Sequence, residues 1–259
     1  AAGHDLNYIA LTGALHAIGA GDGKPAVPLN LVGDYGGGAL YLAFGLMAAL
    51  FERQRSGRGQ VVDAAMVDGA SSLLGLFHGL AACGQWDPQH RAANLLDGGA
   101  PFYDTYEAAD GRHVSLGPLE PKFFAELARR IGLDTRYVAR QYDRRLWPEM
   151  REAIAALVRS KTRDEWTALL EGSDACFAPV LTLAEAPAHA HARAREAFVD
   201  VAGVRQPAPA PRFSRSAPTA PTAAPVPGAH TREVLAEAGY TALEIGTLLA
   251  DGAARAVQS

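Results

Sequence analysis

Apolar positions fall into blocks of different period along the chain. From Ala39 to Phe51 nearly every residue is small or apolar, and the run ends in ERQRSG. Basic residues in a last turn with Gly57 just beyond read as a helix terminus. Gly45 interrupts the run, which falls short of the roughly 20 residues needed to cross a bilayer; a buried core helix is expected. The β-branched pair Val61 and Val62 predicts a short strand over Gln60–Ala64, and Asp68–Leu80 a second helix. Residues 81–100 are polar and glycine-rich, a plausible boundary.

The pattern changes at Pro101. PFYDTYEAADGRHVSLG places aromatic and β-branched residues around Asp110-Gly111, a hairpin signal. Glu120 and Pro121 open a helix over Pro121–Ile131, and WPEMREAIAALVRSK and TRDEWTALLEG are two further amphipathic helices, the second with a Thr162/Glu165 capping box. ACFAPVLTLAEA reads as a short strand and the start of a helix. Seven prolines between 206 and 228 exclude regular helix or central strand and predict an extended connection. A final helical pair follows, with Thr231 and Thr241 as candidate caps. The order predicts an α/β chain in two domains: 1–84 in the larger, 85–188 as a small domain, and 189–259 as a proline-rich linker with helices returning to the larger.

Composition narrows the class. With 259 residues, 49% apolar and 20% charged, the chain suits a packed globular protein. A net charge of −4 gives no electrostatic reason for a nucleic-acid or anionic-membrane partner, and neither is expected. Cys83 and Cys176 are too few for a disulfide framework and lack metal-ligand spacing, which suits a cytoplasmic setting. The chain opens AAGHDLNY, without a methionine and within a chemically dense segment, so it is expected to be part of something longer.

The candidate chemistry begins with PLNLVGDYGGG. Alone, Asp34 reads as a helix cap, His4 as a surface group and Glu120 as a first-turn acid. Together they suggest more. Asn30 and Asp34, four apart, would share a helical face, so Asn30 can orient the carboxylate. Gly36–Gly38 would let a ligand approach the backbone at a helix N-terminus, where developing negative charge is favoured. A carboxylate and an imidazole facing one ligand make an acid/base pair. The remaining candidates are bland. His189 and His191 point apart, His78 and His113 are packing or surface groups, Trp86, Trp147 and Trp166 are anchors, and Asp63 and Asp68 are structural.

GHDLNY, PLNLVGDYGGG, LFERQRSGRGQVVDAAMVDG, LDGGAPFYDTYEAADGRHVSLGPLEPKFF and SDACFAPVLT, in that order, resemble the α-methylacyl-CoA racemases of the family III CoA-transferase superfamily. The resemblance implies a Rossmann-like large domain, incomplete here at its N-terminus, a smaller α+β domain and an interlocked homodimer. It implies His4 and Asp34 as the two bases, Asn30 as partner of Asp34, and Glu120 as partner of His4, reaching it from the small domain of the other copy. Gly3, Asp5, Leu6, Asn7 and Tyr8 would form part of the acyl-CoA wall, with the Asp5 backbone near the thioester oxygen, and Tyr103 would line the acyl pocket. Members carry a further N-terminal segment that supplies much of the CoA site.

The implied reaction removes the α-hydrogen of a 2-methylacyl-CoA on one face, forms an enolate, and returns a proton on the other. It needs neither metal nor organic cofactor. Donors at the enolate oxygen commonly matter most, about 2.7–4 kcal/mol for each one lost. Two alternatives stand beside it: a CoA-transferase in which Asp34 attacks the thioester to form a mixed anhydride, and a truncated chain without activity.

Overall fold

The computed structural model describes residues 2–257. They form two compact units that divide between Val180 and Leu181.

The first unit begins with α1 (Asp5–Leu11) and the single turn α2 (Ala14–Ala17). Leu31–Ala39 follows as a π-helical segment that runs directly into α3 (Leu40–Ser56), which ends at Gly57 in the left-handed conformation. The sequence anticipates this stop: Gly57 takes φ 74° at no side-chain cost and returns its N–H to the Arg53 carbonyl. No strand forms over 60–64, because no other described strand lies alongside to accept its hydrogen bonds. The expected second helix is two, α4 (Met66–Leu73) and α5 (Gly75–Ala82). They part at Leu74, whose N–H turns back to Ser71 and Ser72, in a stretch weakened by Gly69, Gly75 and Gly79.

The expectation that Ala39–Phe51 is a buried core helix is not met. No residue of α3 is buried among the described residues, and Phe44 is 76% exposed. The length argument also changes. The π-helical segment and α3 together make one helix, Leu31–Ser56, of 26 residues, long and apolar enough to cross a membrane by length and composition. The core helix of a soluble protein has the same composition and length.

From Pro101 the expected elements appear closely. Strands β1 (Asp104–Glu107) and β2 (His113–Leu116) form the hairpin around Asp110-Gly111, pairing Tyr106 with Val114. Helix α6 (Pro121–Ile131) buries Phe124, Leu127, Ala128 and Ile131, a single stripe at helical spacing. The turn α7 (Thr135–Val138) leads to α8 (Trp147–Val158), which buries Trp147, Met150, Ile154 and Val158. In α9 (Arg163–Leu170) Thr162 and Glu165 cap each other reciprocally. Strand β3 (Phe177–Pro179) then joins the far side of β2 to complete an antiparallel sheet in the order β1-β2-β3. Phe102, Phe124, Met150, Ile154 and Trp166 form the centre of this core. A separate, smaller cluster holds Ile9, Ala14 and Ala70. Both clusters lie within the first unit, which ends at Val180.

The second unit holds the turn α10 (Ala190–Ala194), a hairpin of β4 (Phe198–Val201) and β5 (Val204–Pro207), and helices α11 (Thr231–Glu237) and α12 (Ala242–Ala250). The hairpin is not signalled in the sequence. Its turn, Ala202-Gly203, takes φ values of 49° and 81°, the pair of positive angles that Asn-Gly usually supplies. Beyond β5 the proline-rich stretch has neither helix nor strand, as expected. Thr241 caps α12 through Glu244, but Thr231 is the first residue inside α11 and its hydroxyl donates to the Arg255 carbonyl.

Candidate active site

The candidate site is built from the heads of two helical elements. His4 is the N-cap of α1. Its carbonyl accepts the N–H groups of Asn7 and Tyr8, and its own N–H donates to Asn7 Oδ1 at 3.1 Å. This leaves the imidazole exposed at the end of a fixed backbone. Gly3 lies under the Tyr8 ring, where a Cβ would come within 3.3 Å of Tyr8 Cζ. Leu6 and Asn7 are exposed on the outer side of α1.

The second element is the π-helical segment. Such helices are rare, and short π-helical stretches are frequent at functional sites. Its cap is Asn30, and Asp34 lies in its first turn rather than capping it. Asn30 Nδ2 donates to Asp34 Oδ2 at 3.0 Å, so the spacing of four does place the amide on the carboxylate. Asp34 is half-buried.

The two elements are joined by Asp5, the residue after His4. Its Oδ2 accepts the Asp34 N–H at 2.7 Å. The resemblance places Asp5 in the acyl-CoA wall with its backbone near the thioester oxygen, and implies no such bond from its side chain. A first-turn acid looks like an ordinary helix-dipole partner, and nothing local reveals a bond across 29 residues.

Gly36–Gly38 do not open the backbone to a ligand as expected. Gly37 and Gly38 are buried against α4. A Cβ at Gly37 would meet Ala70 N at 2.5 Å, and one at Gly38 would meet Met66 Cγ at 3.1 Å. The glycine run is a seat for α4, and it fixes the helix that carries Asp34.

Glu120 and Tyr103 lie elsewhere in the first unit. Glu120 is the N-cap of α6 and exposed, and no hydrogen bond joins it to His4. It acts instead on its neighbours. Burial first, and then the Glu120 carboxylate, raise the Tyr142 hydroxyl and the Cys176 thiol above their ordinary values; Asp174 adds to the effect on Cys176. Tyr103 lines a cavity of about 1030 Å³ with Asp22, Asp104, Arg151, Cys176 and Phe177. Arg151 is committed there, donating to Asp104 and to the carbonyls of Gly98 and Gly99. Among the described residues no group of three or more His, Cys, Asp or Glu is placed to hold a metal ion.

This fold recurs in solved structures. A CAIB/BAIF family protein from Brucella suis superposes with a TM-score of 0.69 at 23% identity, over 91% of this chain and 63% of that one. Residues 1–231 match CoA-transferase family III, and the chain belongs to that family. It is 45% identical over 253 residues to the alpha-methylacyl-CoA racemase of Mus musculus and 40% identical over 257 residues to that of Homo sapiens, each time over 96% of this chain. The chain spans 66% of the length of each of these relatives.

Proposed function

We propose that this chain carries the proton-transfer residues of an enzyme that inverts the α-carbon of 2-methylacyl-CoA thioesters. The observation that carries the reading is the pairing of two proton-transfer groups on contacting elements: His4 heads α1, and the next residue, Asp5, is bonded to the main chain of Asp34. The racemases to which the chain is 45% and 40% identical support the substrate class.

The α-hydrogen of such a thioester is acidic because the carbonyl takes up charge as an enolate. One of His4 and Asp34 removes it. The other delivers a proton to the opposite face, and the roles exchange with the direction of reaction. Asn30 holds the Asp34 carboxylate in one rotamer through its amide. Main-chain N–H groups at the head of α1, Asp5 among them, serve the enolate oxygen. Gly3, Leu6, Asn7 and Tyr8 line the acyl-CoA around that point, and Tyr103 belongs to the acyl pocket. The scheme uses no metal or organic cofactor.

Glu120 partners His4 across an interlocked homodimer, the small domain of one copy facing the large domain of the other. Within one chain Glu120 is an exposed helix cap with no hydrogen bond to His4, which leaves it free for that arrangement. A cytoplasmic location completes the reading.

The test is α-proton exchange in D₂O with a 2-methylacyl-CoA, following deuterium and configuration together, in the full-length enzyme and in this chain. Exchange with inversion, abolished by His4→Ala and by Asp34→Ala, is expected. Either variant inverting at the parental rate would sink the two-base scheme. Acyl transfer to an added acid without inversion would make Asp34 a nucleophile instead.

A further inference from the structure

Asp5 has a side chain that the proposed reaction does not use, and its surroundings are costly to build. It is only 5% exposed. One carboxylate oxygen accepts the Asp34 N–H, while the other, Oδ1, is buried with no hydrogen-bond partner among the described residues. A buried carboxylate satisfied on one side only lowers stability. The opposing backbone is shaped to admit it: a Cβ at Gly33 would lie 2.4 Å from Asp5 Oδ2.

The bond has a clear physical basis. The N–H groups of a first helical turn have no acceptor within their own helix, and they form its positive end. A carboxylate placed there makes a short, charge-assisted bond. Here the carboxylate comes from another element, and that element is the one headed by His4. A single hydrogen bond therefore spans the two elements that carry the proton-transfer groups.

We propose that Asp5 is a positioning residue whose side chain sets the spacing of His4 and Asp34, so that proton removal on one face and delivery on the other occur in one turnover. The proposal rests on the two-base reading above. Inversion requires both groups to reach the same carbon, whereas exchange of the α-proton without inversion requires only one. A misplacement of about 1 Å costs about a hundredfold in rate, so loosening this bond strikes inversion harder than exchange.

The test uses Asp5→Asn and Asp5→Glu in the full-length enzyme, with two readouts. The first is the ratio of inversion to α-deuterium exchange for a 2-methylacyl-CoA in D₂O. The second is hydrogen exchange at the Asp34 amide, which does not depend on any reaction. In Asp5→Asn, inversion should fall by up to about a hundredfold, exchange should fall much less, and the Asp34 amide should lose protection. Asp5→Glu keeps the charge but moves it by one methylene, so it should shift the ratio in the same direction. Inversion and exchange falling in equal proportion would reduce Asp5 to a purely structural group and overturn the proposal. So would a parental ratio in Asp5→Glu. A parent that neither exchanges nor inverts, while Asp5→Asn still releases the Asp34 amide, would sink the two-base reading and leave the tether standing. A parent that inverts while Asp5→Asn leaves amide and ratio unchanged would sink the tether alone.

Discussion

Gly37 and Gly69 touch backbone to backbone: a Cβ built on Gly69 would lie 1.8 Å from the Gly37 carbonyl oxygen. Neither residue can carry a side chain without moving α4 away from the helix that bears Asp34. The obstructing atom is main chain, so no rotamer change relieves it. Gly69→Ala should therefore destabilise the protein by about 3 kcal/mol, the upper range for overpacking a tight contact. Denaturant unfolding of the parent and variant proteins measures this. A midpoint within error of the parent would mean that the two helices separate easily.

Asn30 is exposed and adds little to the core, so its removal should be felt in turnover rather than in folding. A hydrogen bond to a charged group contributes about 1.5–3 kcal/mol, equivalent to roughly ten- to a hundredfold in rate. Asn30→Ala should lower kcat within that range while KM and Tm change little. A KM effect alone would place Asn30 in substrate binding.

The Cys176 thiol is raised first by burial and then by the Glu120 and Asp174 carboxylates, so its thiolate forms at higher pH than usual. Removing one of those charges should favour the thiolate. In a Cys83→Ser background, Glu120→Gln should move the midpoint of the Cys176 alkylation rate with iodoacetamide to lower pH. An unmoved midpoint would show that the Glu120 carboxylate lies away from the cavity.

Glu126 on α6 is held between Arg129 and Arg130, and their guanidinium groups lower its pKa from 4.5 to about 2. A carboxylate depressed by folding stabilises the native state above its unfolded value, and that contribution is lost as pH falls toward the folded value. The loss from this pair should therefore appear between pH 4.5 and about 2. Glu126→Gln should flatten the acid limb of the stability curve over that window and lower neutral stability by the same small amount, since it removes the contribution that the parent loses in acid. An acid limb identical in parent and variant would contradict the pairing.

Local signals carried much of the fold. Glu120-Pro121, Thr162/Glu165 and Asp110-Gly111 each fix an element through chemistry within a few residues, and α6, α9 and the first hairpin stand where that chemistry puts them. The Asn30–Asp34 bond was legible for the same reason. What was not legible is non-local. Asp5 bonds to a residue far along the chain. Asn94, almost wholly buried, ties Asp87, His90 and Asp97 into one loop through its single amide. Arg91 donates to the carbonyls of His16, Ala20 and Gly23. In the sequence, each is one polar residue in a polar stretch. The glycine run misled because lack of a side chain permits close approach by a ligand or by another helix, and only the position of α4 decides between them.

The antiparallel sheet has a consequence for synthesis. Strand β2 meets β1 across a short turn, but its other edge pairs with Phe177–Pro179, after helices α6 to α9 have intervened. Closing a loop of roughly sixty residues costs entropy that a hairpin does not. As the chain leaves the ribosome, the first hairpin and the helices can form early, while the outer edge of β2 stays unpaired until the residues near Phe177 emerge. Until then that edge is open to strands from other chains. The interval is when a co-translational chaperone would matter most to this protein.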